Sequence, residues 1–160
     1  VSEEKFPEQL AIEKRFSAAV LDWHAQHGDR TLLVEHDRIL DIARLLKDEL
    51  GYNVLLDLTA VDYLPRKPRF EVVYHFMNLS TLTRLRVKVQ PDDEHPEVPS
   101  LTSLWAIADW YEREVWDLFG VKFHGHPHLR RIMLYEEFKG HPLRKDYPKT
   151  KRQPLIGPDN

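Results

Sequence analysis

Cysteine is absent from the 160 residues. Its absence excludes disulfides, a cysteine nucleophile, thiolate zinc sites and cysteine-ligated iron–sulfur clusters. It fits a reducing compartment without requiring one. Glycine is scarce as well. The six glycines stand too far apart for a G-x-G-x-x-G turn or a Walker A loop, and no G-x-S-x-G elbow occurs. No standard dinucleotide or phosphate cradle is present, which argues against a Rossmann-type oxidoreductase. Long apolar runs are also missing, so no segment qualifies as a transmembrane helix. The opening residues, Val1-Ser2-Glu3-Glu4-Lys5, are acidic and lack an apolar stretch. They read as neither a secretory signal nor an Arg-rich transit peptide, and a chain beginning with Val leaves room for residues ahead of it. Finally, no strong excess of one charge exists. The net charge is −3, so no global field draws in nucleic acid.

What is present describes an ordinary globular domain: 42% hydrophobic and 31% charged residues. A chain of this length buries roughly 68–70% of its unfolded surface, enough for one self-sufficient core. The charge is polarised along the chain. Residues 1–60 carry seven basic and twelve acidic side chains, whereas residues 122–152 carry nine basic and three acidic. Such asymmetry marks an interaction surface.

The periodicity predicts an amphipathic helix over Glu8–His27, with Ile12, Phe16, Val20 and Trp23 on one face and Gly28 as its stop. A short strand follows over Thr31–Glu35. A second helix spans Asp37–Leu50, with Ile39, Ile42, Ala43 and Leu46 inward and Gly51 as its cap. Strands over Tyr52–Tyr63, Phe70–Met77 and the alternating Arg84–Val89 are joined by short turns, the pattern of an antiparallel meander. An acidic, proline-rich loop covers Pro91–Pro99. A third helix is expected from Ser100 or Thr102, either of which can cap it, to Phe119, where Gly120 ends it. Beyond Gly120 the chain is basic and punctuated by Pro and Gly. The fold class is therefore α+β. One domain over residues 1–148 holds two N-terminal helices, a mainly antiparallel meander, a third helix and an extended basic C-terminal segment. Residues 149–160 form a tail.

Three constellations carry candidate chemistry. His124, His126 and His128 alternate, and on a strand their rings share one side, as metal ligands must. Pro127 and the lack of an acidic ligand among them count against a site, leaving a metal-dependent hydrolase as a weak reading. Glu112, Arg113, Glu114 and Asp117 crowd the third helix. Glu112 and Glu114 lie roughly 200° apart around it, so they form no acid–base pair, while Arg113 and Asp117 can pair at four-residue spacing. The bland reading is a charged, solvated helix face. Third, Trp105, Trp110, Tyr111, Trp116, Phe119 and Phe123 alternate with charges and lead into the basic segment. Most of these aromatics are expected in the core, Trp116 and Phe119 sharing a buried face. The same mixture supplies protein–protein hot spots or, less readily, stacks single-stranded RNA.

The run EREVWDLFGVKFHGHPHLRRIM, Glu112 to Met133, and the following GHPLRKDYP closely resemble the signature of the C subunit of respiratory complex I, the proton-pumping NADH:quinone oxidoreductase. The matching positions are Glu112, Arg113, Glu114, Trp116, Asp117, Leu118, Phe119, Gly120, Gly125, His126, Pro127, Leu129, Arg130 and Arg131. The second motif adds Gly140, His141, Pro142, Leu143, Arg144, Lys145, Asp146, Tyr147 and Pro148. The resemblance covers about residues 10–148. It implies a non-catalytic peripheral-arm subunit with no flavin, cluster or quinone site of its own. FMN, iron–sulfur clusters and quinone would sit in partner subunits. The chain would pack chiefly against the D subunit, in a hetero-oligomer that binds no nucleic acid and meets the membrane only through the complex. The brief tail and the lack of a transit peptide lead to the expectation of a bacterial subunit, on the cytoplasmic face of the cell membrane. Equivalent subunits occur in related quinone oxidoreductases and energy-converting hydrogenases.

Two finer expectations follow. Adjacent side chains on an extended segment point oppositely, so one of Arg130 and Arg131 should meet this domain's own Glu112 or Asp117 while the other faces a partner. Gly140–Pro148, with Leu143 as its only aliphatic residue, should gain little from its own domain. It should lie along the surface with its basic groups turned to acidic groups of the D subunit.

Overall fold

The computed structural model describes residues 5–154. The order of elements is α1 (Pro7–Arg15), β1 (Val20–His24), β2 (Arg30–Val34), α2 (Ile39–Asp48), β3 (Val54–Asp62), β4 (Phe70–Asn78), β5 (Thr83–Val89), β6 (Glu97–Pro99), α3 (Ala108–Phe119) and β7 (Lys122–His124). The architecture is α+β. Five strands form one sheet in the order β1-β2-β5-β4-β3, and β6 and β7 make a small parallel pair.

Alternation on the strands decides which side is covered. Leu85, Val87 and Val89 of β5 are buried, and their neighbours Arg84, Arg86 and Lys88 lie on the opposite face. There Lys88 pairs with Glu71 at 2.9 Å, and Arg86 reaches Asp29 at 3.6 Å. The inward face joins Leu32, Val34, Leu58, Val72, Tyr74 and Phe76 to the buried side of α2: Ile39, Ile42, Ala43, Leu45 and Leu46. Gly51 turns the chain out of α2 at φ 74°, a conformation glycine adopts without the steric cost of a Cβ. The amide of Tyr52 then returns to the Leu46 carbonyl. The β3–β4–β5 meander is antiparallel as expected, whereas β2 joins β5 in parallel.

The long first helix is not formed. α1 stops at Arg15, and Val20–His24 is an edge strand paired with β2. Phe16, Val20 and Trp23 do line up at helical spacing, and all three pack partly buried against the core without a continuous helix. Trp23 packs edge-to-face on Phe6 at 5.8 Å. β2 offers unpaired amides along its open edge, and β1 satisfies them, a gain that helical periodicity does not register. α1 is held instead by Glu8, which accepts from Arg30 at 3.0 Å and from the Tyr52 hydroxyl at 2.7 Å. Burial and the Glu8 carboxylate push the Tyr52 hydroxyl well above its ordinary pKa.

The third helix also begins later than its capping residues implied. Leu101 to Ile107 run as turns, and α3 starts at Ala108. Neither Ser100 nor Thr102 caps α3; the Ser100 hydroxyl instead accepts from the Thr102 amide at 3.2 Å. α3 lies against β3, with the Tyr111 hydroxyl donating to the Leu56 carbonyl at 3.0 Å and Trp105 Nε1 to the Asn53 carbonyl at 3.1 Å. The centre of this junction is Phe76. It has no exposed surface, stacks on Tyr74 at 6.1 Å and meets Trp105 at 5.4 Å. Phe76→Ala is expected to destabilise the domain by about 3–5 kcal/mol, the range for a fully buried aromatic, as measured by urea unfolding.

Candidate functional site

α3 turns Ala108, Val115 and the carboxylate-bearing Glu112 and Asp117 into the structure, all with essentially no exposed surface, and leaves Glu114 outside. The charged helix face expected from composition is therefore half wrong: two of its four charges are buried. Asp117 is the organising group. Its Oδ2 accepts from three consecutive amides, those of Ile132, Met133 and Leu134, at 3.1, 2.9 and 2.9 Å. Its Oδ1 accepts from Arg131 at 2.6 Å. Burial works against the charge, but these four donors outweigh it and hold the carboxyl below its ordinary range.

Arg113 does not pair with Asp117. It reaches Asp109 at 3.9 Å and donates to the carbonyls of Arg130 and Arg131 at 3.3 and 3.2 Å. The tight turn at 131–134 places Arg131 and three amides around Asp117 at once, a denser arrangement than one i,i+4 contact offers. Arg131 also donates to the carbonyls of Phe138 and Gly140 at 2.7 and 3.0 Å, and its guanidinium lies 5.7 Å from the Trp116 ring and 5.6 Å from Phe138. Arg131 is thus the inward arginine and Arg130 is exposed. Trp116 is not a core residue. It is half-buried beneath Arg131, edge-on to His141 at 6.2 Å. Phe119 is partly buried against the core.

The segment 140–148 is stitched to its own domain, contrary to expectation. The Leu143 amide donates to the Leu118 carbonyl at 3.0 Å, and His141 Nδ1 donates to the Asp117 carbonyl at 2.9 Å. Arg144 donates to the carbonyls of Phe119 and Gly120. These are the carbonyls that a helix leaves without internal partners at its C-terminal end. Two of the basic groups assigned to a partner are therefore used internally. Burial lowers the pKa of His141, keeping its ring neutral. Gly120, at φ 75°, is the point of closest approach: a Cβ there would lie 2.5 Å from both Arg144 Nη2 and His141 Cδ2.

A second anchor comes from the far end of the sheet. Asp62, at the end of β3, accepts from Arg69 at 2.7 and 3.0 Å and from the Lys145 amide at 2.8 Å. Arg69 simultaneously binds Asp146 through two bonds at 2.8 and 2.9 Å. Burial opposes the Asp62 charge, yet Arg69 and the amides of Leu64 and Lys145 bring its pKa down to about 2. Tyr147 stacks on Phe138 at 6.1 Å, and Gln153 bonds both the Tyr147 hydroxyl and the Lys139 carbonyl at 2.9 Å. Pro148 closes the strap, its carbonyl accepting from Lys151. Sequence reading missed Asp62, Arg69, Asp109 and Phe138. Asp62 lies 83 residues from Lys145, and no local pattern signals so distant a contact. Residues 155–160 of the expected tail, like Val1–Glu4, fall outside the described residues.

The three alternating histidines do not converge. His126 is shielded, its Nε2 donating to Asp109 at 3.0 Å and its Nδ1 accepting from the His128 amide. His124 is exposed beside Glu97 at 3.4 Å, and His128 is exposed after the Gly125 turn and Pro127. Among the described residues no group of three His, Asp or Glu side chains is placed to hold a metal ion. What faces solvent around α3 and the strap is a mixed set: Ile107, Trp110, Met133 and Leu143, with Arg130, Lys145 and Glu114. Pro142 is half-buried beside them.

Fold and site together define a small α+β domain whose charged motif binds main chain and positions a strap. Three of the motif's charged groups are spent on structure: Asp117 and Arg131 on backbone and on each other, and Arg144 on the end of α3. The chain belongs to the family described as Respiratory-chain NADH dehydrogenase, 30 Kd subunit, whose pattern matches residues 32–153. It is 45% identical over 150 residues to the C subunit of NADH-quinone oxidoreductase from Citrifermentans bemidjiense, covering 94% of this chain and 89% of that one. It is 49% identical over 132 residues to the protein of the same name from a Roseiflexus species, covering 81% and 76%. Among solved structures, it resembles a trypsin-resistant fragment of Nqo5 with a TM-score of 0.67 and 33% identity, over 76% of this chain and 98% of that one. It also resembles a chain of the membrane-bound sulfane sulfur reductase, an archaeal respiratory membrane complex, with a TM-score of 0.74 and 28% identity, over 87% and 82%.

Three outcomes are expected of this arrangement. Trp116→Ala should cost roughly 0.5–3 kcal/mol, as for a half-buried side chain, and clearly less than Phe76→Ala under the same denaturant. Gly120→Ala should lose roughly 1–2 kcal/mol from the left-handed backbone alone. It should lose more from the clash with Arg144 and His141, and strap amides should exchange faster with solvent deuterium. The depressed pKa of Asp62 means that its contribution is complete above the ordinary value of 3.8 and is lost as pH falls towards about 2. Asp62→Asn should flatten that part of the acid-unfolding profile.

Proposed function

We propose that the chain serves as the C subunit of a proton-pumping NADH:quinone oxidoreductase, a non-catalytic member of its peripheral arm that packs on the D subunit. The observation that carries this reading is the family match across residues 32–153. In this reading FMN, iron–sulfur clusters and quinone belong to partner subunits. The chain contributes to electron transfer and proton translocation only by holding the quinone-reducing connecting module together. Its place is the cytoplasmic face of a bacterial membrane, reached through the complex. No helix among the described residues is long and apolar enough to cross a membrane.

The geometry supports a docking role. Trp and Arg dominate protein–protein hot spots, and a surface ordered before binding loses less entropy on docking. Trp110 stands exposed on α3, and Met133 and Leu143 stand exposed on backbone whose amides Asp117 and the Leu118 carbonyl already hold. Arg130 and Lys145 are exposed and free to meet acidic groups of a partner. The likeness to a sulfane sulfur reductase chain favours, as a second reading, the equivalent subunit of a related respiratory complex.

The test uses two outward residues that the fold does not need, Leu143 and Arg130. Leu143→Glu and Arg130→Glu are each expected to leave circular dichroism and melting temperature unchanged. They should sharply reduce co-purification with the D subunit from detergent-solubilised membranes. Normal assembly of both variants would remove this face from the interface. Recovery of the wild-type chain with subunits of a complex that does not oxidise NADH would select the second reading.

A further inference from the structure

Glu112 is the buried carboxylate of α3 that takes no part in holding the 131–134 turn or the strap. It has no exposed surface and makes no ion pair among the described residues. Its Oε1 accepts from the Leu101 amide and its Oε2 from the Ser100 hydroxyl, both at 2.6 Å. The groups around it offer no counter-charge. On α3, Asp109 one turn earlier is acidic and already engaged by His126 and Arg113, while Arg113 points to Asp109 and to the carbonyls of Arg130 and Arg131. From β4 comes Tyr74, fully buried near the Glu112 carboxyl, its hydroxyl without a hydrogen-bond partner among the described residues. The 100–102 turn supplies only hydroxyls and amides. An ionised carboxylate so placed is costly, and a proton relieves it.

The same turn provides a path for that proton. The Ser100 hydroxyl lies 2.8 Å from the Thr102 hydroxyl, with either oxygen able to donate. Ser100 is buried and Thr102 half-exposed. A chain of oxygens therefore runs from the buried carboxyl, through Ser100, to a side chain in contact with water. We propose that Glu112 is a proton-binding site that loads and unloads in the folded protein through the Ser100–Thr102 relay.

On loading, Thr102 Oγ1 takes a proton from solvent and passes its own to Ser100 Oγ. Ser100 passes its own to Glu112 Oε2. Each hydroxyl ends with one hydrogen, and all three bonds have reversed direction. Glu112 now donates to Ser100, Ser100 to Thr102, and Thr102 to water. The Leu101 amide bonds Oε1 in both states, so no segment has to open. Burial, reinforced by Asp109, outweighs the two donors and raises the Glu112 pKa from 4.5 to about 7. A raised carboxyl means that the folded state keeps a proton the unfolded chain has lost. Stability should therefore decline as pH rises between these values and level off above them. Glu112→Gln reproduces the loaded state: its carbonyl accepts from Leu101 and its amide donates to Ser100.

The experiment is difference infrared spectroscopy of the full chain across pH, with pH-jump relaxation. Wild type should show a carboxylic-acid carbonyl band that disappears with a midpoint near neutrality. The band should shift when glutamate alone is carbon-13 labelled, and should be lost in Glu112→Gln. Thr102→Val should keep the band but slow its relaxation by roughly tenfold or more, because exchange must then wait for local opening. Absence of a titrating band in wild type overturns the site, as does a band insensitive to glutamate labelling or one retained in Glu112→Gln. An unchanged relaxation rate in Thr102→Val overturns the relay. The labelling arm reads the site in wild type even if Glu112→Gln fails to fold.

Discussion

Asp117 is the group on which the C-terminal half of the molecule depends. One carboxylate, deprived of water, meets three successive amides and a guanidinium. Without it those part-buried amides would lose their shared acceptor, and Arg131 would lose its counter-charge. With it, the turn at 131–134 is fixed and Arg131 is aimed between Trp116 and Phe138. The same helix end offers the carbonyls of Asp117, Leu118, Phe119 and Gly120 to the strap. A helix C-terminus normally leaves such acceptors to solvent or to a cap. Here the chain returns from 24 or 25 residues further on to supply the donors.

The strap is therefore neither a free tail nor part of the apolar core. It is a polar layer held at two places, the end of α3 and the Asp62–Arg69–Asp146 cluster. That arrangement explains how a segment with one aliphatic residue stays ordered. Its order comes from neutral bonds of Leu143 and His141 to the end of α3, joined by charge-assisted bonds of Arg144, Asp62 and Asp146, which are stronger than neutral ones. It also determines what remains for a partner. Leu143 and Lys145 face out because the amides beneath them are already bound, to Leu118 and to Asp62. The anchoring residues and the outward residues alternate along one stretch of chain.

α3 carries two buried carboxylates with opposite electrostatics. Asp117 is held below its ordinary pKa by cationic and amide donors, whereas Glu112, with two donors and no cation, is raised. The two lie five positions apart on one helix. Sequence spacing treats them alike, as members of a charged face. The difference arises from what the rest of the chain brings to each: a guanidinium and a turn to one, a hydroxyl, an amide and a phenol to the other.

The amino-acid sequence alone was sufficient for the α+β class, the meander of β3 to β5, the second helix with its Gly51 exit, and the family. These rest on local period, on turn residues and on an ordered motif, all of which are properties of neighbouring residues. It was also enough to state that Arg130 and Arg131 divide between inside and outside, since alternation follows from extended geometry. Which arginine turned inward required the position of Asp117. The pairing of β1 with β2, the late start of α3 and the half-burial of Trp116 were likewise decided only in three dimensions. An edge strand forms where another strand leaves amides unpaired, and a helix starts where packing allows. Local pattern contains neither condition. The binding of Lys145 to Asp62 and of Arg144 to the end of α3 is the extreme case, because those bonds exist only once the sheet has brought distant parts of the chain together.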